Sequence, residues 1–208
     1  MEILVNSATC YKNNNIIFKN ANIILNNGEI CIVMGPNGCG KTTFIRCLCK
    51  IESLESGHIL IDNMDLQDQN SDHLDNIAYI GHKNSLNDNL TVTENLEYLG
   101  AFDSTANKNL VNNIKDAIEY FDIYKYKDFM VSELSEGNKK KTSLARLILS
   151  KKKIWLLDEP LSFLDKSAVK NLIKLFSKHQ KNGGIIVASS HYDFSEDVDN
   201  FKFFKMES

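Results

Sequence analysis

The chain has 208 residues, of which 43% are hydrophobic and 25% charged, so it is long enough to bury the core of one large globular domain. Its formal net charge of −3 argues against a general nucleic-acid-binding protein, because such proteins are usually basic. No apolar run approaches the roughly 20 residues that span a bilayer, and the first residues lack the basic region of a signal peptide.

The first third of the chain predicts short strands. Residues 2–9 and 16–25 are expected to be two strands around the polar turn 12–15. Asn26-Asn27-Gly28 contains the dipeptide typical of a hairpin and leads into the apolar run 30–34. Tyr11 precedes the first turn. Its ring is suited to stacking on an adenine face, but an ordinary surface tyrosine fits the position equally well.

The stretch 35–43, GPNGCGKTT, organises the chain. It follows an apolar strand, opens a helix and fits the spacing G-x-x-x-x-G-K-[ST] of a phosphate-binding loop. Its glycines let the backbone curl so that N–H groups point inward, and the helix N-terminus adds a positive dipole end. Lys41 is expected to reach the outer phosphates of ATP, and the Thr42 hydroxyl to bind Mg²⁺. The predicted nucleotide-binding residues are Gly35, Pro36, Asn37, Gly38, Cys39, Gly40, Lys41, Thr42 and Thr43.

Short strands are predicted at 58–61 and 76–80. Residues 91–150 are then predicted to form a mostly helical lobe. Thr91 and Glu94 have the spacing of a capping box. Residues 107–122 repeat apolar side chains at helical period. The positions expected on that apolar face are Leu110, Val111, Ile114, Ala117, Ile118 and Phe121. Ser135 is expected to cap a third helix. The five cysteines form no even framework and are expected to be buried reduced thiols.

The remaining segment returns to an α/β pattern. A buried strand at 154–157 delivers Asp158 and Glu159 at its carboxyl end, where sites of parallel sheets lie. A helix is predicted at 166–180 and strands at 184–190 and 201–204. Glu159 is the candidate general base that polarises an attacking water, and Asp158 the candidate support for Mg²⁺. His191, directly after a predicted strand, is positioned to hydrogen-bond a γ-phosphate.

Five motifs in this order resemble the ATP-binding subunits of ABC transporters. They are GPNGCGKT, LSEGN at 134–138, IWLLDEP at 154–160, SFLD at 162–165 and His191. The resemblance spans residues 1–208 and implies one α/β domain: a P-loop NTPase core with an N-terminal antiparallel β subdomain and an inserted helical lobe at roughly 91–150. It also implies a homodimer that forms on ATP binding, with two nucleotides sandwiched head to tail.

By the same resemblance, each candidate residue takes a family role. Tyr11 stacks on adenine, Asp158 and Glu159 form the Walker B pair, and His191 is the switch histidine. Ser162 and Asp165 belong to the D-loop. Ser135, Glu136, Gly137 and Asn138 form the signature that acts on the nucleotide of the other subunit. The helical lobe is expected to dock on a membrane partner.

One departure points to a branch of the family. His82 stands where most members have a glutamine that meets the metal's water shell, and LTVTENL follows at 90–96. This pattern is similar to the CcmA-like subunits of the cytochrome c maturation (haem exporter) system. The expected partner is therefore a CcmB-like integral membrane permease, with a CcmC-like protein as a further candidate, at the cytoplasmic face of the inner membrane.

A second departure concerns the signature. Glu136 replaces a small residue and Asn138 a glutamine, and the carboxylate is expected to repel a phosphate unless it points away or meets a lysine. Slow but real ATP hydrolysis is predicted. The alternatives are a subunit of another small ABC transporter, for lipoprotein release or import, and a soluble, slow or non-hydrolysing ABC-type regulator. ABC proteins acting on DNA or ribosomes usually carry a second ATPase domain or a coiled coil, and nucleoside kinases need no LSEGN motif.

Overall fold

The computed structural model describes residues 1–68, 72–103, 110–191 and 201–206. The strands are β1 (Glu2–Lys12), β2 (Asn15–Asn26), β3 (Ile30–Met34), β4 (Ser56–Ile61), β5 (Met64–Asp65), β6 (Ile77–Ile80), β7 (Ile154–Leu157), β8 (Ile185–Ser189) and β9 (Phe201–Lys205). The α-helices among these residues are α1 (Lys41–Leu48), α2 (Val92–Asp103), α3 (Leu110–Tyr120), α4 (Glu136–Leu149) and α5 (Lys166–Lys181).

The chain divides into two compact units. The first comprises Met1–Tyr79, Lys153–Glu159 and Phe176–Ser208, and the second comprises Ile80–Lys152 and Pro160–Leu175. The first unit therefore holds the sheets, except for the last residue of β6. The second holds α2, α3, α4 and the first part of α5, which agrees with the expectation of a mostly helical lobe.

Two sheets build the first unit. One is antiparallel, with strand order β2-β1-β4-β5, and the other has the order β6-β7-β8-β3-β9. In the second sheet β3 runs parallel to β8 and β9, and β7 runs parallel to β8. Every residue of β7 and β8 is buried, which explains their uninterrupted apolar sequences. Because these strands are parallel, the residues that follow β3, β7 and β8 lie at the same edge of the sheet.

The hairpin interpretation of Asn26-Asn27-Gly28 was wrong. A turn is present, closed by a 3.1 Å hydrogen bond from the Glu29 amide to the Asn26 carbonyl, and Gly28 has a φ of +74°. However, β2 belongs to the antiparallel sheet and β3 to the parallel one. The reason is burial: β3 is almost fully buried between β8 and β9, whereas β2 is an edge strand.

The two helix starts expected in the second unit are confirmed. The Thr91 amide donates to Glu94 Oε2 at 2.8 Å and the Glu94 amide donates to Thr91 Oγ1 at 3.2 Å, a reciprocal capping box at the start of α2. Ser135 Oγ accepts a 3.3 Å hydrogen bond from the Asn138 amide and caps α4. Of the helix predicted at 107–122, residues 107–109 lie outside the described residues.

The inward face expected for that helix is wrong at one position. Ile114, Ala117, Ile118 and Phe121 are buried, but Val111 is 76% exposed. A three-residue step from Val111 to Ile114 keeps helical period, so spacing alone assigned Val111 to the buried face. Neighbouring elements cover only part of that stripe, and Val111 lies beyond their edge.

His179 packs against Trp155, the only tryptophan of the sequence. The contact lies near the end of β7 that is away from Asp158. The His179 ring stacks on Trp155 at 3.7 Å between centroids, and its Nε2 lies 3.1 Å from the Lys153 carbonyl. A Cβ at Gly184 would collide with this ring, so the glycine leaves room for it. Burial lowers the pKa of His179 to about 4, because the low-dielectric environment disfavours the charged ring.

This lowered pKa predicts a pH-dependent stability. The unfolded chain takes up a proton on His179 below its ordinary pKa of about 6.5, whereas the folded chain does not do so until near pH 4. The stabilisation of the folded chain by the neutral, buried His179 ring is therefore fully present above pH 6.5 and is lost as the pH falls towards 4. Since the ring is partly exposed, we expect the parent to lose about 1–2 kcal/mol more than His179→Gln between pH 7 and 5. Urea unfolding at both pH values measures this difference, and equal losses would contradict the assignment.

Candidate functional site

The loop between β3 and α1 depends on two glycines. Gly35 has a φ of +155°, and a Cβ there would collide with the Met206 carbonyl and the Cys39 thiol. Gly40 has a φ of +96°, and a Cβ there would meet the side chain of Ile17 at 2.7 Å. The chain can therefore turn sharply into α1 only with glycine at both positions. Pro36, Asn37 and Gly38, at the outer bend, are exposed.

Lys41 begins α1 and folds back under this loop. Its side chain is 7% exposed, and Nζ donates hydrogen bonds to the carbonyls of Gly35 at 2.9 Å and Pro36 at 3.1 Å. The ammonium group is thus held inside the curve of the loop by neutral acceptors. An anion bound there would offer it a charged acceptor and a stronger hydrogen bond.

Next along α1, Thr42 contacts the end of β7. Thr42 Oγ1 lies 2.9 and 3.0 Å from the two carboxylate oxygens of Asp158, which is 1% exposed. Ser189, the last residue of β8, donates a 2.7 Å hydrogen bond to the same carboxylate. Two hydroxyl groups therefore satisfy a buried carboxylate, as a buried charge requires. The predicted metal-binding pair, Thr42 and Asp158, is in direct contact.

Glu159 follows with an unusual backbone. Its φ is +48°, in the left-handed region that non-glycine residues rarely adopt. Its amide donates a 2.9 Å hydrogen bond to Ser189 Oγ, and its Oε1 lies 3.2 Å from His191 Nε2. Both predicted catalytic side chains are thus together, with the carboxylate 18% and the imidazole 47% exposed. A strained backbone conformation persists only where surrounding contacts enforce it, and such conformations cluster at functional sites.

Tyr11 lies near the end of β1 and is 44% exposed, in cross-strand register with the exposed Ile16. Its ring and the Ile16 side chain offer a flat apolar surface on the first unit. The expected buried thiols are also found: all five cysteines, including Cys39 of the loop, are buried and form no disulfide.

The LSEGN segment lies in the second unit. Ser135 is the exposed N-cap of α4, and Glu136 forms an ion pair with Lys139, one turn later, at 3.3 Å. A Cβ at Gly137 would approach the Phe163 carbonyl to 2.8 Å, so this glycine allows the 162–165 segment to pack on α4. The Asn138 side chain hydrogen-bonds the phenol of Tyr126 and, after Lys125, helps to lower the pKa of that phenol.

The 162–165 segment is tied to α4 by charge. Lys141 Nζ lies 2.6 Å from Asp165 Oδ2, and this contact holds the pKa of the Asp165 carboxyl below its usual range. Asp165 Oδ1 also accepts a 2.8 Å hydrogen bond from the Ala168 amide and caps α5. Ser162 is half-buried, and His82, after β6, is exposed.

The structure thus gathers the predicted residues into two groups. In the first unit Lys41, Thr42, Asp158, Glu159 and His191 converge at one edge of the parallel sheet. In the second unit the segment 162–165, which holds the D-loop candidates, lies against α4 at Gly137 and Lys141. Sequence reasoning missed Ser189, although a hydroxyl at the end of an apolar strand, two residues before His191, was a usable signal.

Comparisons with known proteins point to one family. Residues 18–162 match the family model described as ABC transporter. The chain is 31% identical to the cytochrome c biogenesis ATP-binding export protein CcmA of Aliivibrio fischeri, over 95% of this chain and 96% of that protein. It is 32% identical to the protein of the same name from Vibrio cholerae, over 93% and 92% of the two chains.

Solved structures confirm the expected α/β architecture. A putative ABC transporter ATP-binding protein from Pyrococcus furiosus superposes with a TM-score of 0.83 at 20% identity, covering 99% of this chain and 98% of that one. The dimeric ABC transporter cassette MJ0796 superposes with a TM-score of 0.84 at 21% identity, covering 99% and 94%. At these identities the likeness is one of fold.

The contacts of Ser189 predict a large effect of removing its hydroxyl. Ser189→Ala removes both the hydrogen bond donated to the Asp158 carboxylate and the one accepted from the Glu159 amide, and we expect a loss of about 2–3 kcal/mol in the free energy of unfolding. Ser143→Ala is the matched control, because Ser143 is equally buried but donates only to the neutral carbonyl of Asn84. It is expected to cost about 1 kcal/mol. Denaturant titrations compare the two, and equal losses would contradict the central role given to Ser189.

Proposed function

Because the chain belongs to the ABC transporter family, we propose that it is the ATP-binding and ATP-hydrolysing subunit of a membrane transporter of the cytochrome c maturation, or haem exporter, type. The relatives from Aliivibrio fischeri and Vibrio cholerae, both named cytochrome c biogenesis ATP-binding export protein CcmA, support this choice of branch. The observation that carries the proposal is the contact of Thr42 with Asp158 at 2.9 Å, which joins the phosphate loop to the strand bearing the candidate base.

The first unit binds the triphosphate. Backbone amides of the loop and of the N-terminus of α1 donate hydrogen bonds to the phosphate oxygens, and the glycines at 35 and 40 permit the close approach of the phosphates. Lys41 exchanges its two carbonyl acceptors for the outer phosphates, so its positive charge is positioned before ATP arrives. Tyr11 stacks on the adenine, with its exposed ring as the support for this role.

The residues present suit Mg²⁺. A threonine hydroxyl and a carboxylate in contact are hard oxygen ligands, and Mg²⁺ in nucleotide sites typically takes one or two protein ligands, with phosphate and water as the others. Among the described residues no group of three or more His, Cys, Asp or Glu side chains is placed to hold a metal ion. Thr42 and Asp158 would hold the ion, which neutralises phosphate charge when bound.

Hydrolysis needs a base aimed at water. Glu159 accepts the proton of a water that attacks the γ-phosphate, and its contact with His191 at 3.2 Å orients the carboxylate. His191 can also donate to a phosphate oxygen, which supports its proposed role as the residue that reports whether the γ-phosphate is present. Ser189 holds the Glu159 backbone in its left-handed conformation through the amide hydrogen bond.

We further propose that residues 1–208 form one ATP-binding domain, in which the second unit is the helical lobe. The family model spans parts of both units, which supports this reading. Two copies then close over two nucleotides, each presenting Ser135, Glu136, Gly137 and Asn138 to the nucleotide of the other copy. Ser162 and Asp165 lie beside that surface, because the 162–165 segment packs on α4.

The membrane partner is proposed to dock on the second unit. No helix within the described residues is long and apolar enough to span a bilayer. The unit carries a groove of about 210 Å³ with Ile114 and Ile118 at its floor and the exposed side chains of Val111 and Tyr124 at its rim. A CcmB-like permease, with or without a CcmC-like protein, would bury these apolar groups at the cytoplasmic face of the inner membrane.

The assignment of Glu159 predicts a separation of binding from hydrolysis. Glu159→Gln keeps the size of the side chain but removes the base, so we expect ATP turnover to fall by a factor of about 10²–10⁴. ATP binding is retained, and the variant accumulates as a dimer in Mg-ATP. Turnover assays and analytical ultracentrifugation measure both effects. Lys41→Ala is the control that loses nucleotide binding itself; unchanged turnover in Glu159→Gln would overturn the proposed mechanism.

The docking proposal predicts the effect of a charge in the groove. Val111→Asp places a carboxylate where the permease would bury a valine, and an unpaired buried charge costs several kcal/mol. We expect the variant to lose co-purification with a co-expressed CcmB-like permease. Because Val111 is 76% exposed, the ATPase rate and thermal stability of the free subunit stay close to those of the parent. Val111→Leu is the control that retains binding, and retention by Val111→Asp would exclude this face.

A further inference from the structure

The acidic residue of the signature has a neighbour that changes its electrostatic effect. Glu136 is the first residue of α4, and its carboxylate lies 3.3 Å from Lys139 Nζ, three positions later on the same helix face. The Lys139 side chain is only 21% exposed, whereas the Glu136 side chain is 60% exposed. The partly buried Lys139 side chain has less freedom than an exposed one, so its ammonium group is positioned to pair with the Glu136 carboxylate.

The cavity next to this pair is rich in charge. It has a volume of about 660 Å³ and is lined by Lys83, Lys139 and Lys140 together with Asp88 and Glu136. Three lysines face two carboxylates, so the balance of these five groups is one positive charge. Lys139 cancels Glu136, and without it the balance would fall to zero. A dianionic terminal phosphate approaching α4 would then meet an uncompensated carboxylate in the first helical turn.

We propose that Lys139 is a positioning residue that makes the acidic signature compatible with a phosphate ligand. It holds the Glu136 carboxylate on the side of α4 and neutralises its charge, so the N-terminus of the helix, with Ser135 and Gly137, stays open to an anion. This inference rests on the proposed function, since the anion is the terminal phosphate of ATP bound to a second copy of the chain.

The rival interpretation is that the pair only stabilises the helix. Exposed ion pairs three residues apart commonly contribute a small amount to helix stability and nothing else. The two interpretations differ in where the coupling between the residues is measured. A helix-stabilising pair is coupled in thermal unfolding, whereas a charge-compensating pair is coupled in nucleotide-dependent dimerisation and in turnover.

A double-mutant cycle separates them. The four chains are the parent, Lys139→Ala, Glu136→Gln and the double variant; the glutamine keeps the size of Glu136 and removes only its charge. We expect Lys139→Ala to lower kcat for Mg-ATP about fivefold, as exposed charge pairs allow. The double variant is expected to return to within about twofold of the parent, and the effect of Lys139→Ala on kcat in the Glu136→Gln background is compared with its effect in the parent. Lys139→Arg keeps the charge and retains most of the parent rate.

Salt dependence provides an independent readout. The Debye length falls from about 10 Å at 0.1 M salt to about 3 Å at 1 M. We therefore expect the difference in kcat between Lys139→Ala and the parent to become smaller as the salt concentration rises. The same four chains in a Glu159→Gln background give the dimer dissociation constant in Mg-ATP, which keeps the cycle measurable where turnover is slow. Thermal unfolding of each chain reports whether the variants are folded.

Lys83→Ala is the matched control, because it removes a positive charge from the same cavity but leaves the Glu136–Lys139 pair intact. Its effect on kcat is expected to add independently to that of Glu136→Gln. Additive effects of Lys139→Ala and Glu136→Gln on both kcat and dimerisation would overturn the inference while leaving ATP hydrolysis in place. A parent chain that does not bind Mg-ATP would instead overturn the proposed function, and the inference with it.

Discussion

The buried carboxylate of Asp158 is the group on which the candidate site depends. It is almost inaccessible to solvent, and hydroxyl groups from Thr42 on α1 and Ser189 on β8 both contact it. A buried charge without partners would be strongly unfavourable, so folding of the first unit requires the phosphate loop, β7 and β8 to come together around it. Ser189 extends the same network to Glu159 through the backbone, which places the candidate base relative to the loop.

The preorganisation of charge follows from this arrangement. Lys41 is held by neutral carbonyls, and Glu159 is held in a strained conformation beside His191. Both side chains are thus in position before the substrate binds, and an electrostatic site of this kind needs little reorganisation during reaction. In the second unit, contacts of α4 with Phe163 and Asp165 connect the candidate signature segment to the candidate D-loop segment.

Much of this was readable in the sequence because it rests on local patterns. Apolar runs gave the parallel strands, the spacing of Thr91 and Glu94 gave a helix start, and the order of motifs gave the family resemblance. Predictions from local patterns failed where residues distant in sequence determine the burial of a side chain or the sheet to which a strand belongs. Val111 fits the helical period but lies beyond the packed stripe, and Asn26-Asn27-Gly28 forms a turn whose flanking strands belong to different sheets.

The sequence by itself determined the α/β class, the helical lobe and the identity of the candidate phosphate-binding and acidic residues. It also raised the problem of an acidic Glu136 in the signature. Only the tertiary structure decided that Glu136 forms an ion pair with Lys139 and that Gly137 leaves space for the Phe163 backbone. It also decided that the Asp158 carboxylate accepts hydrogen bonds from Thr42 and Ser189. The physical reason is that electrostatic partners and close backbone approaches are set by side-chain direction and by segments far apart in the chain, which hydrophobic periodicity does not encode.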